Sequence, residues 1–165
     1  NRAGKHARMT QNSAAFTSTS PDETAQLAIR LGANLRAGDT LLLEGEIGAG
    51  KSHFARALIQ SLLPEPEDVP SPTFTIVQVY DLHDCELWHA DLYRLGGPDQ
   101  VIELGLLDAF DGAICLIEWP DRLDDLRPSE ALTIRLDDPE KTDRREICFT
   151  WSKSRWTDCV AEAVA

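Results

Sequence analysis

The chain contains the stretch Gly45-Glu46-Ile47-Gly48-Ala49-Gly50-Lys51-Ser52, which matches the pattern G-x-x-x-x-G-K-[ST] at every fixed position. Before it, Thr40 to Glu44 is a short apolar run, as expected for a strand buried on both faces of a parallel sheet. After it, apolar residues recur at three- and four-residue spacing, which predicts an amphipathic helix. These residues are Phe54, Ala55, Leu58, Ile59 and Leu62. A strand, a glycine-rich loop and a helix in this order predict a loop that wraps a diphosphate.

Each part of this loop has a physical task in such a site. The glycines let the backbone curl with its N–H groups pointing inward, and the start of the following helix adds positive potential. We expect Lys51 to reach the β- and γ-phosphates and the Ser52 hydroxyl to bind a magnesium ion that bridges them. The competing interpretation is a glycine-rich turn with a solvent-facing lysine, but the flanking strand and helix favour the nucleotide site.

The composition indicates one acidic domain. A chain of 165 residues is long enough to build a single hydrophobic core. Residues 1–8 hold three basic residues and no acidic ones and precede the only methionine, Met9, so we expect a leader followed by one domain over residues 9–165. The net charge is −12 and no run of lysine and arginine is present. Tight, direct binding of nucleic acid is therefore disfavoured, and any role on RNA would need a partner.

The cysteines, histidines and apolar runs suggest neither a metal-rich nor a membrane protein. The cysteines lack C-x-x-C spacing, so we expect small core residues rather than zinc ligands or disulfides at Cys85, Cys115, Cys148 and Cys159. Structural or solvent-exposed roles, without metal-ligand spacing, are expected for His53, His83 and His89. No apolar run approaches the about 20 residues that cross a bilayer, and no signal-peptide pattern is present. The sequence predicts a cytoplasmic protein that does not use a membrane.

The rest of the chain predicts a mixed sheet between helices. Ser20-Pro21-Asp22-Glu23 predicts a helix start, and Gly38 predicts the end of that helix. Two short helices separated at Gly105 and a last helix over Trp156 to Val164 are also expected. Apolar and β-branched patterning predicts further strands at 74–80, 85–91, 113–117, 132–137 and 147–151. The predicted fold is an α/β, P-loop NTPase-like three-layer sandwich, whose mixed sheet has a parallel core and antiparallel hairpin strands.

Two acids are candidates to complete the magnesium site. In P-loop proteins the ion is held partly by an acid at the end of a neighbouring strand. Glu118 ends one buried run, and Asp91 ends the predicted hairpin. The competing interpretations are a helix-capping carboxylate for Glu118 and a surface ion pair with Arg94 for Asp91. Thr73 lies between the loop helix and the next strand, where P-loop switches place a threonine that senses the γ-phosphate.

Several blocks in a fixed order resemble the TsaE family, also called YjeE, of small P-loop ATPases in bacterial tRNA threonylcarbamoyladenosine biosynthesis. The resemblance spans about residues 21 to 137. The P-loop itself is common to many families, but Ser-Pro-Thr-Phe-Thr, Asp-Leu-Tyr-Arg-Leu and Glu-Trp-Pro in this order are specific. The blocks are the P-loop stretch, Ser71-Pro72-Thr73-Phe74-Thr75, His89-Ala90-Asp91-Leu92-Tyr93-Arg94-Leu95, Glu103-Leu104-Gly105 and Ile117-Glu118-Trp119-Pro120.

The resemblance implies a function and a set of site residues. It implies a magnesium-dependent ATPase with ATP or ADP and Mg²⁺ as cofactors, slow without partners, which acts on a TsaB–TsaD complex and reaches tRNA only through that complex. Its implied catalytic residues are Glu118, Asp91 and Thr73, and its implied magnesium ligands are Ser52, Glu118 and Asp91. Its implied nucleotide-binding residues are Gly45, Glu46, Ile47, Gly48, Ala49, Gly50, Lys51, Ser52, His53 and Trp119. Family members mostly carry two threonines in place of Ser52-His53, so serine keeps the hydroxyl while any role of His53 is in doubt.

The residues alone leave two other classes open. A small-molecule kinase of the P-loop class would need an acceptor site and usually an arginine-bearing lid, and no arginine cluster stands out in the sequence. A GTP-dependent switch would carry an Asn/Thr-Lys-x-Asp pattern, to which the nearest stretch is Glu140-Lys141-Thr142-Asp143. Without the resemblance, the prediction is a magnesium-dependent nucleotide hydrolase or kinase.

Overall fold

The computed structural model describes residues 11–165, and the predicted leader, residues 1–8, lies outside the described residues. Strands in this part of the chain are β1 (Asn12–Ser18), β2 (Thr40–Glu44), β3 (Val77–Asp81), β4 (Glu86–Asp91), β5 (Ile114–Glu118), β6 (Leu132–Asp137) and β7 (Arg145–Trp151). Helices are α1 (Pro21–Gly32), α2 (Lys51–Leu62), α3 (Pro98–Glu103), α4 (Leu106–Gly112) and α5 (Arg155–Val164), with a 3-10 segment at Pro120–Leu126. None of these helices combines the length and the apolar character that a bilayer crossing requires.

The strands form one mixed sheet in the order β1-β7-β6-β2-β5-β4-β3. Strands β6, β2, β5 and β4 run parallel to one another, whereas β3 pairs antiparallel with β4, β7 with β6, and β1 with β7. Parallel strands end at the same edge of a sheet, so the loop after β2 lies beside the end of β5. The register sets Asp91 at the end of β4 opposite Glu118 at the end of β5. The predicted mixed sheet with a parallel centre is confirmed.

Helices cover both faces of this sheet. Along β2, Leu41 and Leu43 pack into a core with residues of α1, α2 and α5, whereas Leu42 packs into a second core with residues of α3 and α4. Adjacent strand residues point to opposite faces, and burying one leucine stabilises the fold by about 1.5–3 kcal/mol. The three-layer arrangement predicted from the continuous apolar run of β2 is therefore confirmed.

The start of α1 follows the capping pattern, but its end does not follow the prediction. The Ser20 hydroxyl accepts a hydrogen bond from the Glu23 N–H at 3.1 Å, with Pro21 in the first turn. The helix ends at Gly32 rather than at Gly38. The Asp39 carboxylate accepts a hydrogen bond from the Arg36 N–H at 2.8 Å, which closes a separate turn before β2. This hydrogen bond between the Asp39 side chain and the backbone favours a turn over a continuation of α1 to Gly38.

One predicted strand begins later than expected, and one strand was not predicted. The strand expected at 74–80 begins only at Val77, because residues 72–75 form a turn and Ile76 has φ of +68°. The strand β1 was not predicted, since along Asn12–Ser18 only Ser18 is fully buried and Ala14 and Phe16 are partly buried. The helix pair split at Gly105, the last helix and the β6–β7 hairpin are confirmed.

The cysteines occupy different environments. Cys115 and Cys159 are buried, Cys85 is partly buried and Cys148 is exposed. The prediction of a core residue is therefore wrong for Cys148, because β7 turns alternate side chains outward and that face of the strand is open to solvent. Burial raises the pKa of the Cys115 thiol to about 12, so this thiol is protonated and inert at neutral pH.

Gly45 is required by close backbone packing where β2 enters the loop. Its φ is +143°, and a Cβ at this position would lie 2.4 Å from the Leu136 carbonyl oxygen of β6. We expect Gly45→Ala to lower the free energy of unfolding by about 2 kcal/mol or more, because backbone must move to remove the clash. Chemical denaturation measures this change. The matched control is Gly112→Ala, where the added Cβ meets no atom of another part of the described fold within 4 Å. Equal losses for both variants would contradict the prediction.

Candidate functional site

A cleft of about 390 Å³ opens where the P-loop meets the ends of β4 and β5. It is built at the edge where the parallel strands end, next to the first turn of α2. This position is the usual ligand site of an open α/β sheet. Its lining residues are Ile47, Gly48, Gly50, Lys51, Ser52, His53, Thr73, Asp91, Tyr93, Arg94, Glu118 and Trp119. The structure thus brings together all three predicted catalytic residues and most of the predicted nucleotide-binding residues.

The loop presents the start of α2 to the cleft. Gly50 caps the helix in the left-handed region, with φ of +104°, and no side chain of the described residues makes a capping hydrogen bond there. The first turn of α2 contains no acidic residue, so no side chain of that turn opposes the positive end of the helix dipole. Free N–H groups and a positive helix end are the features that bind a phosphate group.

Lys51 is held inside the loop. Its ammonium donates hydrogen bonds to the carbonyl oxygens of Gly45 at 2.6 Å and Glu46 at 2.9 Å, and it lies 4.2 Å from the ring centroid of Trp119. The residue is 6% exposed. Burial lowers the pKa of Lys51, and the negative charge of neighbouring carboxylates, Glu118 first, opposes this shift. The Lys51 ammonium is thus surrounded by two carbonyl oxygens and an aromatic face, and it can replace these contacts with hydrogen bonds to phosphate oxygens.

Glu118 faces the loop hydroxyl from the end of β5. Its Oε1 accepts a hydrogen bond from Ser52 Oγ at 3.1 Å, and its Oε2 lies 2.8 Å from His89 Nε2. Glu118 is 2% exposed. The competing interpretation of a helix-capping carboxylate is wrong, since these contacts are to side chains of α2 and β4.

Asp91 lies next to Glu118 at the end of β4. Its Oδ1 accepts a hydrogen bond from the Tyr93 N–H at 3.0 Å. Burial raises the pKa of Asp91, that N–H opposes the shift, and the neighbouring Glu118 charge adds to it. No ion pair links Asp91 to Arg94 within residues 11–165; the Arg94 guanidinium lies instead 5.0 Å from the Phe74 ring centroid. The surface-pair interpretation of Asp91 is wrong.

Thr73 is connected to the loop through a serine. Ser71 Oγ lies 2.8 Å from Thr73 Oγ1 and 3.4 Å from Ser52 Oγ. The adjacent Phe74 side chain is 82% exposed. These two contacts connect the Ser52 hydroxyl, through Ser71, with the segment that carries Thr73.

Trp119 and His53 border the cleft in different ways. Trp119 follows β5 in the left-handed region, with φ of +58°, and its ring lies 4.9 Å from the Tyr93 ring. This conformation turns the indole back over the loop. The His53 ring, at the outer rim, places Nε2 3.0 Å from the Pro21 carbonyl oxygen of α1.

Sequence reasoning missed three residues of this neighbourhood. His89 contacts Glu118, Ser71 connects Ser52 with Thr73, and Tyr93 packs on Trp119. His89 was expected to be structural or solvent-exposed; it is 1% exposed and contacts a site acid. The available signal was its alternation with Leu87 and Asp91, which places all three on one face of a strand.

The donor set at the cleft fits magnesium shared with phosphates. Among residues 11–165, no group of three or more histidine, cysteine, aspartate or glutamate side chains forms a metal site by itself. Magnesium normally takes one or two carboxylates, with water and phosphate oxygens completing its shell. The Ser52 hydroxyl beside Glu118, with Asp91 opposite in the register, offers hard oxygen ligands of this kind.

The comparisons with known proteins decide the family. The family model for threonylcarbamoyl adenosine biosynthesis protein TsaE matches residues 18–147. The chain belongs to the TsaE family. A TsaE of Bacillus subtilis, named as a tRNA threonylcarbamoyladenosine biosynthesis protein, is 36% identical over 142 residues, covering 86% of this chain and 87% of the relative. TsaE of Rickettsia conorii is 36% identical over 121 residues, covering 73% and 69%.

The three-dimensional comparison agrees with the TsaE assignment. A crystal structure of Bacillus subtilis YdiB superposes with a TM-score of 0.72 at 30% sequence identity. The match covers 93% of this chain and 95% of YdiB.

Proposed function

We propose that this TsaE protein is a magnesium-dependent ATPase that acts as an accessory factor in tRNA threonylcarbamoyladenosine biosynthesis, working on a TsaB–TsaD complex. The observation that carries the ATPase proposal is the convergence of Lys51, Ser52 and Glu118 in one cleft. These are a phosphate-binding cation, a hydroxyl ligand and an acid. Family membership supports the pathway, because the matching family and relatives are named for that biosynthesis.

The loop and its lysine bind the phosphates in this proposal. The α2 N–H groups and Lys51 surround the β- and γ-phosphates, and Lys51 exchanges its bonds to the Gly45 and Glu46 carbonyls for phosphate oxygens. Ser52, Glu118 and Asp91 would hold the magnesium ion directly or through water. When bound, the ion neutralises charge on the β- and γ-phosphates.

Glu118 then orients the attacking water in this proposal. Its buried position between Ser52 and His89 keeps the carboxylate fixed beside the expected γ-phosphate. Ser71 connects the Ser52 hydroxyl with Thr73, so loss of the γ-phosphate would change the position of Thr73 and of the adjacent, exposed Phe74. Orientation of water and sensing of the γ-phosphate are the tasks that distinguish a hydrolase from a passive nucleotide site.

A second cavity suits the nucleoside. It measures about 760 Å³ and lies on the other side of the P-loop, between residues 46–49 and the β6–β7 connection with Asp138, Pro139 and Lys141. Arg145 of β7 ties these two parts together: its Nε donates to the Ala49 carbonyl at 2.8 Å and its Nη1 lies 3.3 Å from Asp138 Oδ2. We place the base and ribose in this cavity, with the phosphates leading into the cleft.

The proposal is tested by hydrolysis and by nucleotide selectivity. Purified protein with Mg²⁺ should bind ATP in preference to GTP and release inorganic phosphate. Transfer of the phosphate to a small-molecule acceptor, at a rate above that of hydrolysis, would favour the kinase. Formation of threonylcarbamoyladenosine on tRNA by TsaB–TsaD, with and without this protein, tests the pathway assignment separately.

We expect the ATPase to be slow alone and faster with TsaB–TsaD. Among the described residues, one lysine and one arginine line the cleft, Lys51 and Arg94. The Arg94 guanidinium packs on the exposed Phe74 ring. A positioned arginine at the γ-phosphate contributes about 10³ to 10⁵ in rate, which a partner can supply. Because the chain carries a net charge of −12, association with a basic partner should weaken as salt rises. Steady-state hydrolysis with and without the complex, at two salt concentrations, measures both effects.

The variant Arg94→Ala separates the two sources of positive charge. If a partner completes the site, the complex should still stimulate this variant. A fast isolated enzyme that is indifferent to TsaB–TsaD would contradict the accessory role and leave a stand-alone hydrolase.

A further inference from the structure

A buried histidine of β4 has its ring in contact with the acid of the site. His89 and Glu118 are 1% and 2% exposed, and His89 Nε2 lies 2.8 Å from Glu118 Oε2. Within the part of the chain that the structure describes, His89 Nδ1 has no hydrogen-bond partner. His89 is absent from the lining of the cleft. The ring therefore meets the site only through the carboxylate.

The contact selects one tautomer of the neutral ring. With its hydrogen on Nε2, the imidazole donates to Glu118 and leaves only a lone pair on Nδ1 without a partner. With the hydrogen on Nδ1, an N–H would be buried unpaired, and the Nε2 lone pair would face the carboxylate at 2.8 Å. The surrounding structure therefore favours the tautomer with hydrogen on Nε2, because its N–H has a hydrogen-bond acceptor in Glu118.

Packing alone gives no reason for a histidine here. Leu87 precedes it on the same strand face, and Leu116 is its cross-strand neighbour on β5. An aliphatic side chain would fill this space without an unpaired nitrogen, and burying an unpaired polar atom costs free energy. The benefit that offsets this cost is the hydrogen bond to Glu118.

We propose that His89 is a positioning residue for ATP turnover, which fixes the Glu118 carboxylate in the orientation that faces Ser52. This inference rests on the proposed ATPase function. Glu118 has two side-chain donors, Ser52 and His89. Ser52 is also the proposed magnesium ligand, whereas Glu118 is the only hydrogen-bond partner of the His89 ring among the described residues, so His89 serves the carboxylate alone. Since His89 lies outside the cleft, its loss should reduce turnover and leave ATP affinity nearly unchanged.

Two amide variants separate positioning from packing. The glutamine amide nitrogen of His89→Gln reaches the place of Nε2, whereas the shorter His89→Asn reaches only the place of Nδ1. Loss of a side chain that orients a ligand-binding group commonly costs about 10- to 100-fold in activity. We therefore expect His89→Asn to lose turnover by about that factor and His89→Gln to retain most of it, with KM and equilibrium affinity for ATP similar in both. Tyr80→Phe is the control: it removes a buried hydroxyl of neighbouring β3 that has no hydrogen-bond partner among residues 11–165, and it should match the parent.

The outcomes distinguish this inference from the proposed function. Equal losses in His89→Gln and His89→Asn, wild-type turnover in His89→Asn, or a parallel loss of ATP affinity would each overturn the positioning role. Nitrogen-15 NMR of histidine-labelled protein gives a readout without ATP. The His89 resonances of the parent are identified as those absent from the spectrum of His89→Gln, and we expect them to show hydrogen on Nε2. Hydrogen on Nδ1 would overturn the inference. If the parent protein neither binds nor hydrolyses ATP, the proposed function fails, and the turnover role of His89 fails with it.

Discussion

Lys51→Ala should abolish measurable ATP turnover and weaken binding of the triphosphate. The ammonium is the buried cation of the loop, and removing one preorganised electrostatic contact to a reacting group costs about 10²- to 10³-fold in kcat. A charge-assisted hydrogen bond contributes about 1.5–3 kcal/mol, which corresponds to about a 10- to 100-fold loss of affinity. Single-turnover hydrolysis and calorimetric titration with ATP measure the two effects.

The control for Lys51→Ala is Lys153→Ala. Lys153 is a surface lysine whose ammonium pairs with Glu130 at 3.1 Å, away from the cleft. Its removal changes the net charge equally and should leave turnover unchanged. Hydrolysis by Lys51→Ala at the parental rate would show that the loop does not hold the reacting phosphates.

Glu118→Ala should remove catalysis while sparing ATP binding. The carboxylate is proposed to orient water rather than to bind phosphate, and loss of a positioned acid or base costs about 10²- to 10⁴-fold in rate. ATP affinity should stay within a few-fold of the parent, because Lys51 and the loop remain. Comparing kcat and ATP affinity at saturating Mg²⁺ measures this separation.

Two companion variants make the Glu118 result specific. Glu130→Ala removes an exposed carboxylate outside the cleft and should match the parent. Asp91→Asn tests the neighbouring acid. If Glu118→Ala keeps full turnover and Asp91→Asn loses it, the catalytic role belongs to Asp91.

The features that sequence patterns predicted best are the ones that depend on near neighbours in the chain. The continuous apolar run before Gly45 and the three- and four-residue apolar spacing after Ser52 are both visible in a short stretch of sequence. The strand, the loop and the helix can therefore be predicted without knowledge of the rest of the fold. The end of β5 at Glu118 is equally local, because an apolar run simply stops there. The convergence of these elements at one cleft then follows from parallel strands ending at one edge.

The features that were missed depend on pairing across the sheet. Alternation with Leu87 and Asp91 places His89 on one face of β4, but its contact with Glu118 depends on the register of β4 on β5, which no local pattern specifies. The late start of β3 depends on Ile76, whose positive φ is unusual for a β-branched residue and is imposed by the preceding turn. The strand β1 has a weak apolar alternation and is recognised only beside its partner β7.

We expect the pairing of β1 with β7 to form late when the sheet assembles. Thr17 of β1 donates a hydrogen bond to Glu146 of β7, 129 residues further along the chain. Contacts so distant in sequence require closure of a very long loop and form late in folding. During synthesis β1 leaves the ribosome early, yet its partner strand does not exist until nearly all of the domain has been made. The cleft proposed for the phosphates lies at the ends of β2, β4 and β5 and needs neither β1 nor β7, so it can be shaped while this side of the sheet is still open. The cavity proposed for the nucleoside includes the β6–β7 connection and is completed only when that hairpin has formed.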